Sequence, residues 1–260
     1  MVGVWLLLAC AGLILPLRPD EVDLARILAP PGDGSWFGYD DLGRPLWDRV
    51  AVGARYSFFV AFFVVLVSAG AGTLIGTASA YLGGWIDHVT TRIIDVFLAF
   101  PGILLAIALA GVLGAGIDNV VIALAVVGWV GFARLARAQV LSLKDREHVQ
   151  AAVALGAGRL RIVLRHLLPL IAAPLIIEAT FGIAGVVIAE AGLSFLGLGI
   201  QPPTPSWGSM IRDSSRYMLV SPHMVLVPGI ALMLVVLAIN MLGDYLRDSL
   251  DVRLGERNRP

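Results

Sequence analysis

The sequence predicts an all-α integral membrane protein with six transmembrane helices. Hydrophobic residues make up 58% of its 260 residues and charged residues 15%, whereas soluble domains are about half apolar and a quarter charged. The apolar residues also fall in long runs, and a run of about 20 spans a bilayer as an α-helix. We predict spans at residues 2–17, 56–81, 93–113, 120–133, 167–189 and 224–242.

The first span needs a separate decision, because the run LLLACAG around Cys10 resembles a lipoprotein cleavage site. A secretory signal carries a basic region ahead of its apolar core, but the first charged residue here is Arg18. We therefore expect an uncleaved first helix at residues 1–17 and an extracytoplasmic segment at residues 18–55. The single cysteine excludes an intrachain disulfide and a thiolate metal cluster.

The distribution of Lys and Arg orients the spans. With both termini in the cytoplasm, the cytoplasmic segments hold twelve of the 19 Lys and Arg residues and the outer segments hold seven. Cytoplasmic loops carry the excess of positive charge in membrane proteins. We therefore expect a transmembrane domain at residues 56–250 with a cytoplasmic loop at about 139–166, an outer loop at about 191–222 and a cytoplasmic tail at 251–260.

The cytoplasmic loop contains the stretch HVQAAVALGAGRLRIVLRHLLPL. Its alanines favour a helix, and Gly156 and Gly158 stand where a helix ends or turns tightly. An arginine-rich second helix then leads to Pro169. A solvated loop that follows the positive-inside rule is one interpretation, but small residues that let another backbone approach closely favour a docking helix for a partner.

The same stretch resembles the EAA signature of ABC-transporter permease subunits. Ala151, Ala152, Gly156, Leu168 and Pro169 match that signature, while Gln150 and His166 replace its usual Glu and Ile. Further runs are similar to the dipeptide/oligopeptide/nickel branch of this family. They are DDLGR (40–44), YLGGWID (81–87), DVFLAFPG (95–102), EAGLSFLGLGIQPPTPSWG (190–208) and LGDYLRDSLDVRL (242–254).

The resemblance implies the type I ABC importer permease fold with a cytoplasmic coupling helix, in a bacterial inner membrane. It implies as partners a second permease subunit, two ATPase subunits or domains, an extracytoplasmic substrate-binding protein and membrane lipid, with no nucleic acid. The residues expected to couple to the ATPase are Gln150, Ala151, Ala152, Leu155, Gly156, Arg159 and Arg161.

The chain is expected to be a non-catalytic subunit with no cofactor or metal of its own. It has no Gly-x-x-x-x-Gly-Lys-Ser/Thr phosphate loop, so ATP and Mg are expected to bind the partner ATPases. The histidines show no metal-ligand spacing. The branch imports dipeptides, oligopeptides, glutathione or nickel chelates, and short peptides are its commonest substrates.

Acidic residues in or near the spans are candidates for the translocation path, because ionisable groups at membrane depth usually face protein or water and pair with something. Glu178 either lines the path and meets the substrate's amino group or is buried against the partner subunit. For Asp95 and Glu190 a structural or helix-terminus role competes with a role in the path.

The outer loop is too rich in Gly and Pro to span the membrane. In relatives the matching segment lies at the extracellular mouth, which makes Phe195, Leu196, Gln201 and Trp207 candidates for an extracytoplasmic gate. A plain connecting loop is the alternative. Two other classes of protein are less consistent with the residues. An ion-coupled carrier would be expected to show inverted repeats or more ionisable residues within the spans, and a membrane enzyme would need a catalytic constellation. The sequence shows none of these features.

Small residues recur at every fourth position of the second span, at Ser68, Gly72, Gly76 and Ala80. Such a ridge lets transmembrane helices approach closely. We expect this ridge to pack against another span.

Overall fold

The computed structural model describes residues 5, 16–32 and 34–250. The predicted first helix, apart from Trp5, Pro16 and Leu17, and the predicted tail at 251–260 lie outside the described residues. Trp5 is buried, and its ring lies 5.2 Å from that of Phe58. Within the described residues the regular structure is helical, with one isolated β-bridge between Tyr39 and Pro45.

Nine α-helices follow one another along the described chain after a short 3₁₀ turn at Leu24–Arg26. A π-helical turn, Val163–Leu167, joins α6 to α7, and a 3₁₀ turn, Ser215–Tyr217, follows α8. The helices are α1 (Leu46–Leu82), α2 (Gly84–Leu98), α3 (Gly102–Leu113), α4 (Ile117–Leu143), α5 (Glu147–Ala154), α6 (Arg159–Ile162), α7 (Leu168–Phe195), α8 (Trp207–Ser214) and α9 (His223–Leu250).

Four of the described helices are long and apolar enough to cross a membrane: α1, α4, α9 and the continuous stretch Arg159–Phe195. The predicted third span, residues 93–113, is not one straight helix. It divides between α2 and α3, which meet at an angle of 86°. Pro101 explains the break, because it lacks an amide hydrogen and disfavours helical geometry at the residue before it. The prediction of an all-α membrane protein is confirmed.

Contacts between chain segments define the two ends of the bundle. At one end, which we call the arginine-rich end (residues 79–92 and 137–167), the Lys144 Nζ donates a hydrogen bond to the Ala80 carbonyl over 3.3 Å. At the other end, which we call the mouth end (residues 18–57, 114–119 and 190–224), the Trp207 Nε1 donates to the Val50 carbonyl over 3.0 Å. The long helices run alternately between these ends.

The closest packing in the bundle joins α1 to α4, which share its most extensive helix contact. Ser68, Gly72, Gly76 and Ala80 are all buried, as the predicted small-residue ridge requires. A Cβ at Gly72 would overlap the Trp129 carbonyl oxygen, and a Cβ at Gly76 would overlap that of Ala133. The two backbones therefore touch only because these positions carry no side chain.

We predict that Gly76→Ala destabilises the protein while Gly70→Ala does not. The added methyl at Gly76 must separate α1 from α4, and overpacking of this kind costs about 1–3 kcal/mol. Gly70 lies on the same helix with nothing within 4 Å of an added Cβ, and alanine is the better helix former there. Thermal unfolding of the two purified variants in detergent measures the difference, and equal melting temperatures would contradict the packing argument.

Candidate functional site

A helix and a glycine bend form a compact protrusion at the arginine-rich end, which we call the docking segment (residues 147–158). Helix α5 ends at Ala154, Leu155 caps it, and Gly156 then adopts φ +79°. The amide of Ala157 donates back to the Ala152 carbonyl over 3.0 Å, which closes the bend. A left-handed conformation of this kind favours glycine, so the bend itself requires Gly156.

The docking segment is fixed to the bundle by one side of α5. Val149 and Ala152 are buried there. Val149 belongs to an apolar cluster that joins α1, α4, α6 and α7, whose other buried members are Ala80, Ala136, Val140, Leu143, Ile162, Leu167 and Ile171. Any displacement of α5 is therefore transmitted to several long helices at once.

The opposite side of the docking segment faces away from the protein. Of the seven residues predicted to couple to an ATPase, six are exposed and only Ala152 points inward. The Leu155 side chain is 88% exposed at the bend. Arg159 and Arg161 make no ion pair with the described residues. This side therefore presents an exposed apolar side chain, and two exposed arginines without an ion pair follow it on α6.

A cavity of about 620 Å³ opens between α1, α3, α4 and α7 in the middle of the bundle. Its lining is mostly apolar or glycine, and among the described residues that line it Glu178 is the only ionisable one. The Glu178 carboxylate is half-buried and makes no hydrogen bond or ion pair with the described residues. Its Oε1 lies 3.3 Å from the position that a Cβ at Gly131 would take.

The structure does not bring the other two predicted path residues to this cavity. Glu190 is 1% exposed, and its two carboxylate oxygens accept hydrogen bonds from Ser57 over 3.1 Å and from Ser194 over 2.7 Å. Asp95 is exposed on α2. Glu190 thus joins α1 to the end of α7 at the mouth end, whereas Glu178 alone of the three faces the cavity.

The four predicted gate residues occupy two different environments. Phe195 and Leu196 are exposed at the end of α7, and the exposed Gln201 donates to the carbonyls of Gly197 and Gly199. Trp207, in contrast, is 1% exposed and is anchored in the core at the start of α8. Its indole N–H donates to the Val50 carbonyl of α1, so Trp207 packs α8 against α1 and is the one buried member of the four predicted gate residues.

One ion pair that sequence reasoning missed joins three helices at the arginine-rich end. The Arg137 guanidinium donates from Nε and Nη2 to the two oxygens of Asp87 over 2.6 and 2.7 Å. Ser79 donates to the same carboxylate over 2.7 Å. The pair links α1, α2 and α4. In the sequence, Arg137 is only one of the positive charges that orient the spans. The position of Asp87 in the family-like YLGGWID run is the one sequence feature that points to this ion pair.

A second missed network holds the segment before α1 at the mouth end. Asp40 accepts a hydrogen bond from the Arg44 Nε over 2.6 Å and lies 3.4 Å from the Arg49 Nε. Arg49 also donates to the Pro19 carbonyl over 3.0 Å. Asp41 pairs with Arg216 beyond α8 over 3.0 Å. The DDLGR run therefore links the segment before α1 to the start of α1 and to the 3₁₀ turn after α8.

The sequence of this chain is similar to those of known transport proteins. Residues 72–256 match the family described as binding-protein-dependent transport system inner membrane component. The chain is 44% identical over 234 residues to the dipeptide transport system permease protein DppC of Alkalihalophilus pseudofirmus, covering 90% of this chain and 77% of that one. It is 47% identical over 219 residues to the glutathione transport system permease protein GsiD of Escherichia coli O1:K1 / APEC, covering 84% and 72% of the two chains.

Among solved structures, the chain resembles an inward-facing conformation of the MetNI methionine ABC transporter. The TM-score is 0.58 at 20% sequence identity, and the match covers 77% of this chain and 94% of the other. This likeness confirms the predicted type I ABC importer permease fold. The family match and the sequence relatives show that the chain belongs to the family of inner membrane components of binding-protein-dependent transport systems.

Proposed function

We propose that this chain is one of two permease subunits of an ATP-driven ABC importer for short peptides. In this proposal the chain forms half of the translocation path, two cytoplasmic ATPase subunits or domains bind ATP and Mg, and an extracytoplasmic binding protein delivers the peptide. The permease itself is not catalytic. The type I importer fold and the two sequence relatives support this function.

The docking segment is the observation that carries the proposal. Burial of an exposed leucine in the groove of a partner would contribute about 1.5–3 kcal/mol to the contact. Leu155 stands at a bend whose backbone Gly156 fixes, on a helix that is anchored to the bundle. A rigid knob of this kind suits a groove in an ATPase and would pass movement of that groove to the spans.

The mid-membrane cavity supports the choice of peptide. A carboxylate without a partner at this depth is costly, and a peptide's terminal ammonium group would pair with Glu178. The relatives include permeases named for dipeptide and for glutathione transport. Glutathione also carries an ammonium group and is the alternative substrate, whereas a nickel chelate would gain less from a lone carboxylate.

The proposed topology places both termini and the docking segment in the cytoplasm of a bacterium with the mouth end outside. The seven-residue segment from Arg159 to Arg165 contains three arginines. The positive-inside rule favours a cytoplasmic location for this segment. An ATPase can reach the docking segment only from that side.

The topology predicts opposite labelling of two introduced cysteines in intact cells. In a Cys10→Ser background, an impermeant thiol reagent should react with Leu219→Cys, which is almost fully exposed at the mouth end, and not with Gly158→Cys until the membrane is opened. Both variants can be read by the mass added to the purified protein. The reverse labelling pattern would overturn the orientation and the docking role with it.

The docking segment predicts that Leu155→Asp releases the ATPase. A charge at the centre of a fitted apolar contact is left unpaired, and changes at such positions cost about 2 kcal/mol or more, which is at least a twentyfold loss of affinity. Copurification of the ATPase with the tagged permease measures the effect. Arg161→Ala should do much less, since exposed ion pairs contribute about 0–1 kcal/mol.

Leu219→Asp is the matched control for that experiment, because it places the same charge on an equally exposed leucine at the opposite end. It should leave ATPase copurification unchanged. If Leu155→Asp retains the ATPase and supports ATP-driven uptake, residues 147–158 are not the coupling element. Uptake that continues without any ATPase would instead support an ion-coupled carrier.

The cavity predicts that Glu178→Gln slows peptide uptake by about tenfold or more. Hydrogen bonds to charged groups contribute about 1.5–3 kcal/mol, and the amide cannot supply the charge. The loss should be specific to peptides with a free amino terminus, so an N-acetylated peptide should be transported equally by both proteins. Uptake into proteoliposomes containing the complete transporter measures both rates.

Asp95→Asn is the control for this variant, because it removes an exposed carboxylate outside the cavity and should leave uptake unchanged. Failure of the Glu178→Gln complex to assemble would assign Glu178 to subunit packing, since removing one partner of a buried pair commonly costs about 3–5 kcal/mol. Equal slowing of free and N-acetylated peptides would also contradict the proposed ammonium contact.

A further inference from the structure

A groove of about 280 Å³ runs along the outside of the bundle at its arginine-rich end. One wall is the last two turns of α1 and the other is α6 with the π-helical turn and the start of α7. The lining is almost entirely apolar. Its residues are Leu74, Thr77, Ala78, Tyr81, Leu82, Arg159, Leu160, Val163, Leu164 and Leu168.

The apolar wall of the groove is open to its surroundings rather than packed. Leu74, Leu160 and Leu164 are each more than half exposed. Leu74 lies on the membrane-spanning helix α1, so this part of the groove lies at membrane depth. Two of the lining residues belong to the π-helical turn, a feature that is frequent at functional sites. The groove is therefore shaped for an apolar chain.

Two polar groups give the groove a specific chemistry. Arg159 lines it and makes no ion pair with the described residues. Thr77 also lines it and is 2% exposed, yet its buried hydroxyl has no hydrogen-bond partner. An unsatisfied buried hydroxyl costs about 1–3 kcal/mol, and an acceptor on an occupant of the groove would remove that cost.

We propose that this groove binds an anionic phospholipid. The phosphate pairs with Arg159 at the interfacial end, and an acyl chain lies against Leu74 and Leu164. The Thr77 hydroxyl is shielded in this conformation, and rotation of its side chain into the groove brings its hydrogen to an ester carbonyl. Basic pockets between transmembrane helices bind acidic lipid headgroups for this reason. Tyr81 lies beside them, and tyrosine is enriched at the level of the headgroups.

A protein helix suits the same groove less well. A phospholipid carries an anionic phosphate for Arg159 and an ester acceptor for Thr77 in one molecule. A helix would have to carry an acidic side chain opposite Arg159 and a hydrogen-bond acceptor opposite Thr77. In this proposal Arg159 binds lipid rather than the ATPase. Arg161 keeps the predicted role in ATPase coupling.

Native mass spectrometry of the detergent-extracted transporter, titrated with phosphatidylglycerol and phosphatidylcholine, tests the proposal. Phosphatidylglycerol should bind about fivefold more tightly, since about 1 kcal/mol per basic residue at a membrane surface converts at 1.4 kcal/mol per tenfold. Arg159→Gln should abolish this preference. Thr77→Val, which removes only the hydroxyl, should weaken binding of both lipids.

Arg146→Gln and Thr91→Val are the matched controls. Arg146 is an exposed arginine at the same end, just before α5, and Thr91 has a buried hydroxyl that also lacks a partner, but neither lines the groove. Both should leave lipid binding unchanged. If Arg146→Gln lowers the preference as much as Arg159→Gln, the attraction is a general surface effect and the site is refuted.

A photo-crosslinking residue in place of Leu164 tests the occupant in native membranes. Irradiation should attach a phospholipid, which the added mass identifies. Attachment of another protein subunit instead would overturn the lipid assignment.

Discussion

The close approach of α1 and α4 is the contact on which the rest of the structure depends. Gly72 and Gly76 let the two backbones touch, and two features are built on that contact. Toward the arginine-rich end, Ala80 and Val140 form the surface on which α5 packs. In the middle, Ser68 of α1 lies against Gly128 of α4 at the wall of the cavity. A side chain on either glycine would displace the docking segment and the cavity wall together.

Three carboxylates of the bundle differ in how fully the described chain satisfies them. Asp87 holds Arg137 in a two-point ion pair, and Glu190 accepts hydrogen bonds from two serines. Groups that are fully satisfied specify the packing of helices and have little left to offer a ligand. Glu178 differs because its carboxylate faces a cavity without a partner in the described chain. The cost of leaving it there is the physical reason to assign it to a substrate or to a second subunit.

Sequence patterns predicted the elements whose cause is local. Long apolar runs predicted the spans, the four-residue spacing of small residues predicted the α1 ridge, and Gly156 predicted the bend after α5. Contacts between distant residues could not be read in this way. Asp87 and Arg137 are 50 residues apart, and the burial of Trp207 depends on a carbonyl of α1 more than 150 residues earlier. Pro101 is consistent with a break between α2 and α3, but the angle between the two helices depends on how they pack.

The two proposed functional regions are connected through α7. Its first turn enters the apolar cluster beneath the docking segment through Ile171, and Glu178 lies about 10 Å further along the helix at 1.5 Å per residue. Pro174 stands between them and cannot donate to the carbonyl one turn before it. This missing hydrogen bond makes the interval between Ile171 and Glu178 the most readily bent part of α7. In the proposed transporter, an ATPase that displaces the docking segment would move the start of α7 through this cluster, while the buried Glu190 holds the far end of α7 against α1.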